Sequence, residues 1–196
     1  GDGLAIVLTL FGFATDWAEA VAEALLRALR QRLPPPLRGE VTDRRLVTLE
    51  GITVPPATDS AVLRFVTPLR LRRKRMEADG PEPPPDPPAL VASLANRASG
   101  LARWHDAELT FEPGEARRLK EAAAALAVQW SRGTDVGWRR RSGRQGRVIP
   151  VEGTHATVRL EGDLGPLLPL LAIGATCHAG SHTTLGLGRY ALLAPE

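Results

Sequence analysis

Residues 177–190 (CHAGSHTTLGLGRY) combine residue types that could hold a phosphate. Glycines allow the backbone to approach a ligand closely, while hydroxyls and an arginine fork donate hydrogen bonds to phosphate oxygens. No lysine is present and a strand, not a helix, is expected to follow, so this is neither a Walker loop nor a dinucleotide fingerprint. The alternative is a glycine-rich turn that returns a strand to its sheet. The candidate RNA-binding residues in this loop are Ser181, Thr183, Thr184, Gly186, Gly188 and Arg189.

His178 and His182 are the candidate catalytic residues of this loop. Cleavage of RNA needs a general base that titrates near neutral pH, and histidine is the natural choice. For each ring taken singly, a surface or hydrogen-bonding role is the alternative. No acid lies nearby and Cys177 is the one cysteine of the chain. We therefore expect no metal site and no cofactor.

Two arginine-rich segments supply the remaining candidates. Residues 70–75 read RLRRKR and residues 138–147 read WRRRSGRQGR, with no acid between Asp135 and Glu152. Guanidinium groups contact phosphates, and Trp130 or Trp138 could stack on a base. A solvated loop without a partner is the alternative. The candidate RNA-binding residues here are Arg72, Arg73, Lys74 and Arg75 in the first segment and Arg139, Arg140, Arg141, Arg144, Gln145 and Arg147 in the second.

Composition indicates a globular protein. The 196 residues include 43% hydrophobic and 24% charged residues with a net charge of +3, which fits a single domain spanning 1–196. No apolar run is long enough to cross a membrane, and the N-terminal residues lack the positive region of a signal peptide. The lone cysteine excludes a disulfide framework, so we expect a cytoplasmic protein.

The hydrophobic periodicity predicts the elements that must position these residues. We expect an order β-α-β-β-α-(α, hairpin)-β, which fits an α+β, ferredoxin-like (RRM-like) βαββαβ domain with an inserted helix and β-hairpin at roughly 107–165. Residues 148–161 are interpreted as two short runs with a turn at Glu152-Gly153. The predicted strands are 4–13, 39–54, 60–73 and 184–194; the predicted helices are 16–33, 88–106, 114–131 and, as a helix or turn, 166–176.

Four stretches together resemble one family, the CRISPR repeat-processing endoribonucleases of the RAMP superfamily. LRFVTPLRLRR is similar to that family's F-x-TP-x-R-x-K strand, and SLANRASGLARWH to its L-x-x-R-x-x-x-L helix. RRRSGRQGRV and HAGSHTTLGLGRY resemble its S-x-RQ segment and its closing H-x-G-x-x-TT-x-GLGRY loop. GDGLAIVLTLFGFA resembles a strand and turn that precede a helix in the family. The likeness extends over nearly the whole chain.

The resemblance implies a ferredoxin-like fold and a defined chemistry. Family members bind CRISPR repeat RNA, as a hairpin or a single strand, and cut it without a metal. The ribose 2′-hydroxyl attacks the adjacent phosphate and leaves a cyclic phosphate and a 5′-hydroxyl. They commonly carry two ferredoxin-like domains, often with the general-base histidine in the first, and a basic residue often stands where this chain has Ser181. The resemblance thus implies the C-terminal half of such a chain, partnered by an N-terminal ferredoxin-like domain or by other CRISPR effector proteins.

Two other functions stay open on the sequence. The chain could be a non-catalytic scaffold subunit that holds RNA within a CRISPR ribonucleoprotein. It could also be an interaction domain whose arginines meet an acidic protein, since aromatic residues make up only 5% of the chain.

Overall fold

A computed structural model of the protein describes residues 6–32, 40–48, 50–71, 85–104, 113–143 and 146–194. The four α-helices within these ranges are α1 (Ala18–Arg32), α2 (Pro87–Trp104), α3 (Pro113–Ala124) and α4 (Leu168–Cys177). The four strands are β1 (Ser60–Phe65), β2 (Ala127–Arg141), β3 (Val148–Glu161) and β4 (Tyr190–Leu193). Short 3-10 helices span Gly12–Trp17 and Thr183–Leu185. None of the described helices has both the length and the apolar character needed to cross a bilayer.

The strands form one antiparallel sheet in the order β2-β3-β1-β4. Helices α2 and α3 connect β1 to β2, and α4 connects β3 to β4. This connectivity and strand order are those of the βαββαβ ferredoxin-like fold. The predicted α+β, ferredoxin-like fold is confirmed, but its first strand is β1, about 55 residues later in the chain than the sequence indicated.

The core lies between the sheet and helices α2 and α4. Strand β1 alternates, and its residues Ala61, Leu63 and Phe65 are buried. Such alternation buries one face of a strand and leaves the other for solvent. The α4 sequence LPLLAIGATC is apolar on most sides, as expected for a helix in the interior. Tyr190 is buried against the Phe65 ring and donates its hydroxyl hydrogen to the Leu171 carbonyl. Both ends of the loop between α4 and β4 are thereby anchored in the core.

Two predicted strands near the N-terminus are not strands. Residues 6–11 and 40–48 take no regular structure, and residues 1–5 and 33–39 lie outside the described part of the chain. Ile6, Val7 and Leu8 are more than half exposed. A β-branched apolar run becomes a strand when a sheet edge pairs with it, and no described strand pairs with residues 6–11. The helix predicted after this run is confirmed as α1.

The predicted hairpin turn at Glu152-Gly153 is wrong. Strand β3 runs straight through both residues, and the turn lies at residues 142–147, between β2 and β3. Gly153 is needed for a close approach: a Cβ there would lie 2.9 Å from the Pro68 Cβ and 3.1 Å from the Leu69 carbonyl oxygen. The hairpin therefore supplies two strands of the main sheet and is no insertion.

The third predicted helix is also shorter than expected. Helix α3 ends at Ala124, and the residues predicted to continue it begin β2, where Val128 and Trp130 pack against the core. The alternation of apolar side chains from residue 126 to 130 matches a strand period. That residues 1–196 form a single domain stays a prediction.

Candidate nucleic-acid interface

The loop between α4 and β4, residues 178–189, is joined to residues 66–71 by main-chain hydrogen bonds. We call these two stretches the glycine loop and the TP segment. Gly188 N–H donates to the Pro68 carbonyl at 2.9 Å, and Ser181 N–H donates to the Arg70 carbonyl at 2.8 Å. Ala179 N–H closes the loop on the Gly188 carbonyl at 2.8 Å. Parts of the chain more than 100 residues apart thus form one surface.

Two glycines permit this close contact. Gly188 has a φ of +76°, and a Cβ there would fall on the Ala179 carbonyl oxygen. Gly180 has a φ of +82°, and its Cβ would fall on the Arg70 carbonyl oxygen. Residues with a side chain rarely adopt such backbone angles, and a Cβ has no room at either position. Gly186 also has a positive φ, +87°, but lies in open space.

Thr67 and Ser93 hold the glycine loop and were not among the sequence candidates. The Thr67 hydroxyl oxygen accepts the Arg189 N–H at 2.9 Å, and the Ser93 hydroxyl oxygen accepts the Gly180 N–H at 3.1 Å. The Arg189 carbonyl in turn accepts the N–H groups of Val66 and Thr67. The TP of LRFVTPLRLRR is the signal that could have identified Thr67.

Both hydrogen-bond donors of Ser181, its N–H and its hydroxyl, are engaged within the chain. Its N–H and its hydroxyl both donate to the Arg70 carbonyl, at 2.8 and 3.0 Å. A phosphate oxygen only accepts, so a hydrogen bond from the Ser181 hydroxyl to a phosphate requires this hydroxyl to rotate away from Arg70. Thr184 is exposed and Thr183 is half-buried on the short helix Thr183–Leu185, where both stay available as predicted RNA contacts.

His178 is half-buried at the end of α4. Its Nδ1 lies 3.2 Å from the Leu187 carbonyl oxygen. A carbonyl only accepts, so Nδ1 carries the hydrogen. Burial lowers the pKa of His178 below its usual 6.5; the Leu187 contact opposes this, and the charges of Arg189 and Arg97 lower the pKa further. The ring is therefore neutral at physiological pH, and its Nε2 has a lone pair.

His182 has a different setting. Its backbone is left-handed (φ 60°, ψ 26°), and its carbonyl accepts the N–H groups of Leu185 and Leu187 at 2.8 and 3.4 Å. No hydrogen bond from its ring is found to any described residue. His178 and His182 thus both belong to the glycine loop, as predicted, although one ring is engaged by the fold and the other is not.

The hairpin of β2 and β3 carries the second group of candidates. Arg139 pairs with Pro150 and Arg141 with Val148, whereas Arg140, between them, pairs with Ile149. Because successive side chains of a strand point to opposite faces, Arg139 and Arg141 share one face and Arg140 lies on the other. All three are exposed. These three arginines therefore do not all face one way, because the strand period places them on both faces of the hairpin.

A shallow depression of about 290 Å³ lies on the hairpin, lined by Gly137, Trp138, Arg139, Pro150 and Glu152. Gly137 pairs with Glu152, so a carboxylate shares the face of Arg139 and Arg141. Trp138 is 39% exposed, and its stacking on a base stays a prediction.

A β-bulge separates the outer part of the hairpin from the core of the sheet. We call this outer part, residues 135–143 and 146–154, the hairpin arm. The pairing shifts register between Arg132 and Asp135. The Thr154 hydroxyl donates to the Asp135 carboxylate at 2.7 Å, and Arg132 forms an ion pair with the same group. The Thr154 hydrogen bond holds the pKa of Asp135 below its usual range. Asp135 therefore balances the charge of Arg132 at the base of the arm.

Several candidates lie outside the described residues: Arg72, Arg73, Lys74, Arg75, Arg144 and Gln145. Arg147 is exposed at the end of the hairpin turn, where its carbonyl accepts the Ser142 N–H at 2.9 Å. Arg70, at the start of the first basic segment, has a buried Nη1 without a hydrogen-bond partner among the described residues. Within the described ranges, no group of three or more His, Cys, Asp or Glu side chains is placed to bind a metal ion.

Residues 63–190 match the family of CRISPR-associated endoribonucleases Cas6, which covers well over half of the chain. The chain belongs to this family. The match begins in β1 and ends at the first residue of β4, so the Cas6 family region coincides with the ferredoxin-like fold and includes both the glycine loop and the hairpin arm. The resemblance drawn from the sequence motifs is confirmed.

Solved Cas6 structures have the same fold. The chain is 22% identical to the Cas6 (TTHA0078) product complex, with a TM-score of 0.56, over 91% of this chain and 73% of that one. It is 23% identical to the Cas6 (TTHB231) product complex, a Thermus thermophilus protein, with a TM-score of 0.51 over 76% of this chain. The chain covers 56% of the length of that Cas6. No match was found among curated proteins.

Proposed function

We propose that the chain binds CRISPR repeat RNA and takes part in the metal-independent endonucleolytic processing of precursor CRISPR RNA. Membership of the Cas6 endoribonuclease family supports this, and two Cas6 structures with the same fold are product complexes. The observation that carries the proposal is the joining of the glycine loop to the TP segment. It bonds the main chain of Gly188, beside Arg189, to Pro68 and that of Ser181 to Arg70, the first residue of the sequence RLRRKR.

The charge around His178 supports an anionic ligand. Arg97 and Arg189 both lie close enough to destabilise the protonated ring. Arg97 also lies 5.8 Å over the Phe11 ring and donates from Nε to the Cys177 carbonyl. Neither arginine has a carboxylate partner among the described residues. A phosphate backbone is the ligand that such uncompensated positive charge attracts.

The proposed reaction forms one bond and breaks another. The 2′-oxygen bonds to the adjacent phosphorus, the bond from phosphorus to the 5′-oxygen breaks, and a 2′,3′-cyclic phosphate and a 5′-hydroxyl result. A base accepts the 2′-hydroxyl proton and an acid protonates the 5′-oxygen. Of the two histidines predicted to be catalytic, we propose His182 for proton transfer, because its ring makes no hydrogen bond to a described residue, whereas Nδ1 of His178 is held by the Leu187 carbonyl. Arg189 and the hairpin arginines would stabilise the negative charge that develops on the non-bridging phosphate oxygens.

Incubation of labelled repeat RNA with the protein in EDTA tests the proposal. We expect salt-sensitive binding and a product that ends in a cyclic phosphate, whereas the all-deoxy version of the same strand stays intact because it lacks the 2′-hydroxyl. Absence of RNA binding at low salt would contradict the proposal. Binding without cleavage would favour the alternative, a non-catalytic RNA-binding scaffold subunit.

The proposal includes protein partners and a cytoplasmic location. Large apolar side chains near the N-terminus are exposed, including Phe13 (66%) and Trp17 (64%). Exposed apolar patches mark interaction sites. Either an N-terminal ferredoxin-like domain or another CRISPR effector protein would cover them. Replacing Trp17 by Ser should abolish co-purification with such a partner and leave RNA affinity unchanged.

A further inference from the structure

Two described residues other than glycine have a positive φ, and both are the histidines of the glycine loop. They are not equivalent. His182 lies in the left-handed region, which histidine tolerates. His178 has a φ of 68° and a ψ of 154°, a combination that is essentially confined to glycine. Glycine at position 178 would adopt this backbone without strain, so a histidine there requires a reason in its side chain.

The side chain of His178 spans the loop. Its Nδ1–H donates to Leu187, nine residues along the chain, beside the main-chain bond from Ala179 to Gly188. Leu187 is buried and follows the positive-φ turn at Gly186. The imidazole therefore fixes one side of the turn, and the TP segment fixes the other through the bond from Gly188 N–H to Pro68.

The position of Arg189 depends on this turn. Arg189 directly follows Gly188, and its N–H is held by the Thr67 hydroxyl. If the turn moved away from His178, the guanidinium of Arg189 would shift with it. The neutral ring suits this task, because it holds the carbonyl without adding a charge between Arg97 and Arg189.

We propose that His178 is a positioning residue: its Nδ1–H, donated to the Leu187 carbonyl, fixes the turn at residues 186–188 and so sets where Arg189 meets the RNA. The inference rests on the proposed function. It assigns His178 a role through Nδ1 rather than the proton transfer through Nε2 that a catalytic histidine would perform.

Two substitutions separate these roles. His178→Asn keeps an amide N–H near the position of Nδ1 and has nothing at Nε2. His178→Gly removes the ring and relieves the backbone. His155→Asn, on β3 outside the loop, is the matched control. We measure the Kd for repeat RNA, the single-turnover cleavage rate and the thermal unfolding midpoint of each variant, and identify the tautomer of His178 in the unmodified protein by nitrogen NMR.

For His178→Gly we expect affinity for RNA to fall by about tenfold, the scale of one lost positioning contact, with no loss of thermal stability. His178→Asn should bind RNA and cleave within about threefold of the unmodified protein, because it keeps the donor. The NMR spectrum should show hydrogen on Nδ1 and none on Nε2.

Three results would overturn the inference. One is a His178→Asn variant that binds RNA normally but no longer cleaves, which would make the ring catalytic. Another is a His178→Gly variant that folds and binds normally. The third is the opposite tautomer in the unmodified protein, which decides the matter even if His178→Gly fails to fold. If the unmodified protein does not bind RNA at all, the proposed function fails and the presentation of Arg189 to RNA fails with it, whereas the NMR result still decides whether Nδ1 holds the loop.

Discussion

The glycine loop and the hairpin arm carry candidate residues of the same kind, yet they are built in opposite ways. In the loop, Ala179, Leu187 and Gly188 are buried and bonded through the main chain. In the arm, β2 is exposed along most of its length and its arginines extend from both faces. In the loop, a substitution should therefore disrupt the packed backbone. In the arm, each substitution of an arginine should only reduce the positive charge. Stability and RNA affinity should therefore respond differently to substitution in the two regions.

The largest effect is expected inside the loop, for Gly188→Ala. The new Cβ meets backbone rather than a movable side chain, so we expect the free energy of unfolding to fall by about 3 kcal/mol or more, with RNA binding lost. Gly186→Ala is the matched control, since it has a similar φ but open space around it and should cost about 1 kcal/mol. Urea denaturation measures both. Equal losses of unfolding free energy in the two variants would mean that the backbone angle alone, without close packing, explains why glycine is needed at position 188.

Thr67→Val should have the next largest effect. It leaves the Arg189 N–H without its acceptor in a half-buried site, which costs about 1–3 kcal/mol. Thr184→Val, an exposed hydroxyl of the loop, should leave stability unchanged and weaken RNA binding. If both variants lost stability alike, the Thr67 hydroxyl would not be holding the loop. Denaturation curves and filter binding on the same samples distinguish these cases.

Substitutions in the arm should change affinity and not stability. Arg139→Ala with Arg141→Ala removes two cations from one face, so the magnitude of the negative slope of log K against log salt should fall by about 1.4 to 1.8. Arg140→Ala, on the other face, reports whether RNA contacts that side too. Arg117→Ala, on the exposed surface of α3, is the control. An unchanged salt slope in the double variant would remove the arm from the interface.

The smallest expected effect is a pH dependence of stability. His178 has a lowered pKa in the folded state, so the unfolded chain binds more protons, and stability falls as pH drops below about 6.5. The charged groups that act on the ring are Arg97 and Arg189, which stay protonated throughout this range. Thermal midpoints from pH 7.5 to 5 should decline less steeply in His178→Asn. If the thermal midpoints of the two proteins declined in parallel with pH, the lowered pKa of His178 would be contradicted.

The sequence predicted the fold class and the glycine loop, but neither the positions of several strands nor the residues that the loop contacts. The motif HTTLGLGRY indicated a close backbone approach, and Gly180 and Gly188 provide it. A motif does not predict the hydrogen-bond partners of the loop, because the acceptor carbonyls of Pro68 and Arg70 lie more than 100 residues away in the sequence. Thr67 and Ser93 were missed for the same reason, since a hydroxyl that holds a distant loop looks in the sequence like any other.

The strand errors have a different origin. Glycine signals a turn in most contexts, so Gly153 was interpreted as one, whereas here it gives room to the TP segment within β3. Residues 6–11 have the composition of a strand, but none of the described strands pairs with them. The alternation in residues 138–141 that splits the arginines was readable from the sequence once β2 was known to be a strand.

The contacts that build the proposed RNA site join residues far apart in the sequence: 111 positions separate Ser181 from Arg70, and 122 separate Arg189 from Thr67. During synthesis, the first contact cannot form before Ser181 has left the ribosome, and the second cannot form before Arg189 has. A partly made chain thus presents its arginines without the loop that orients them, and the costly closure of these long loops comes late in folding. The proposed RNA site is therefore complete only after Arg189 has been synthesised.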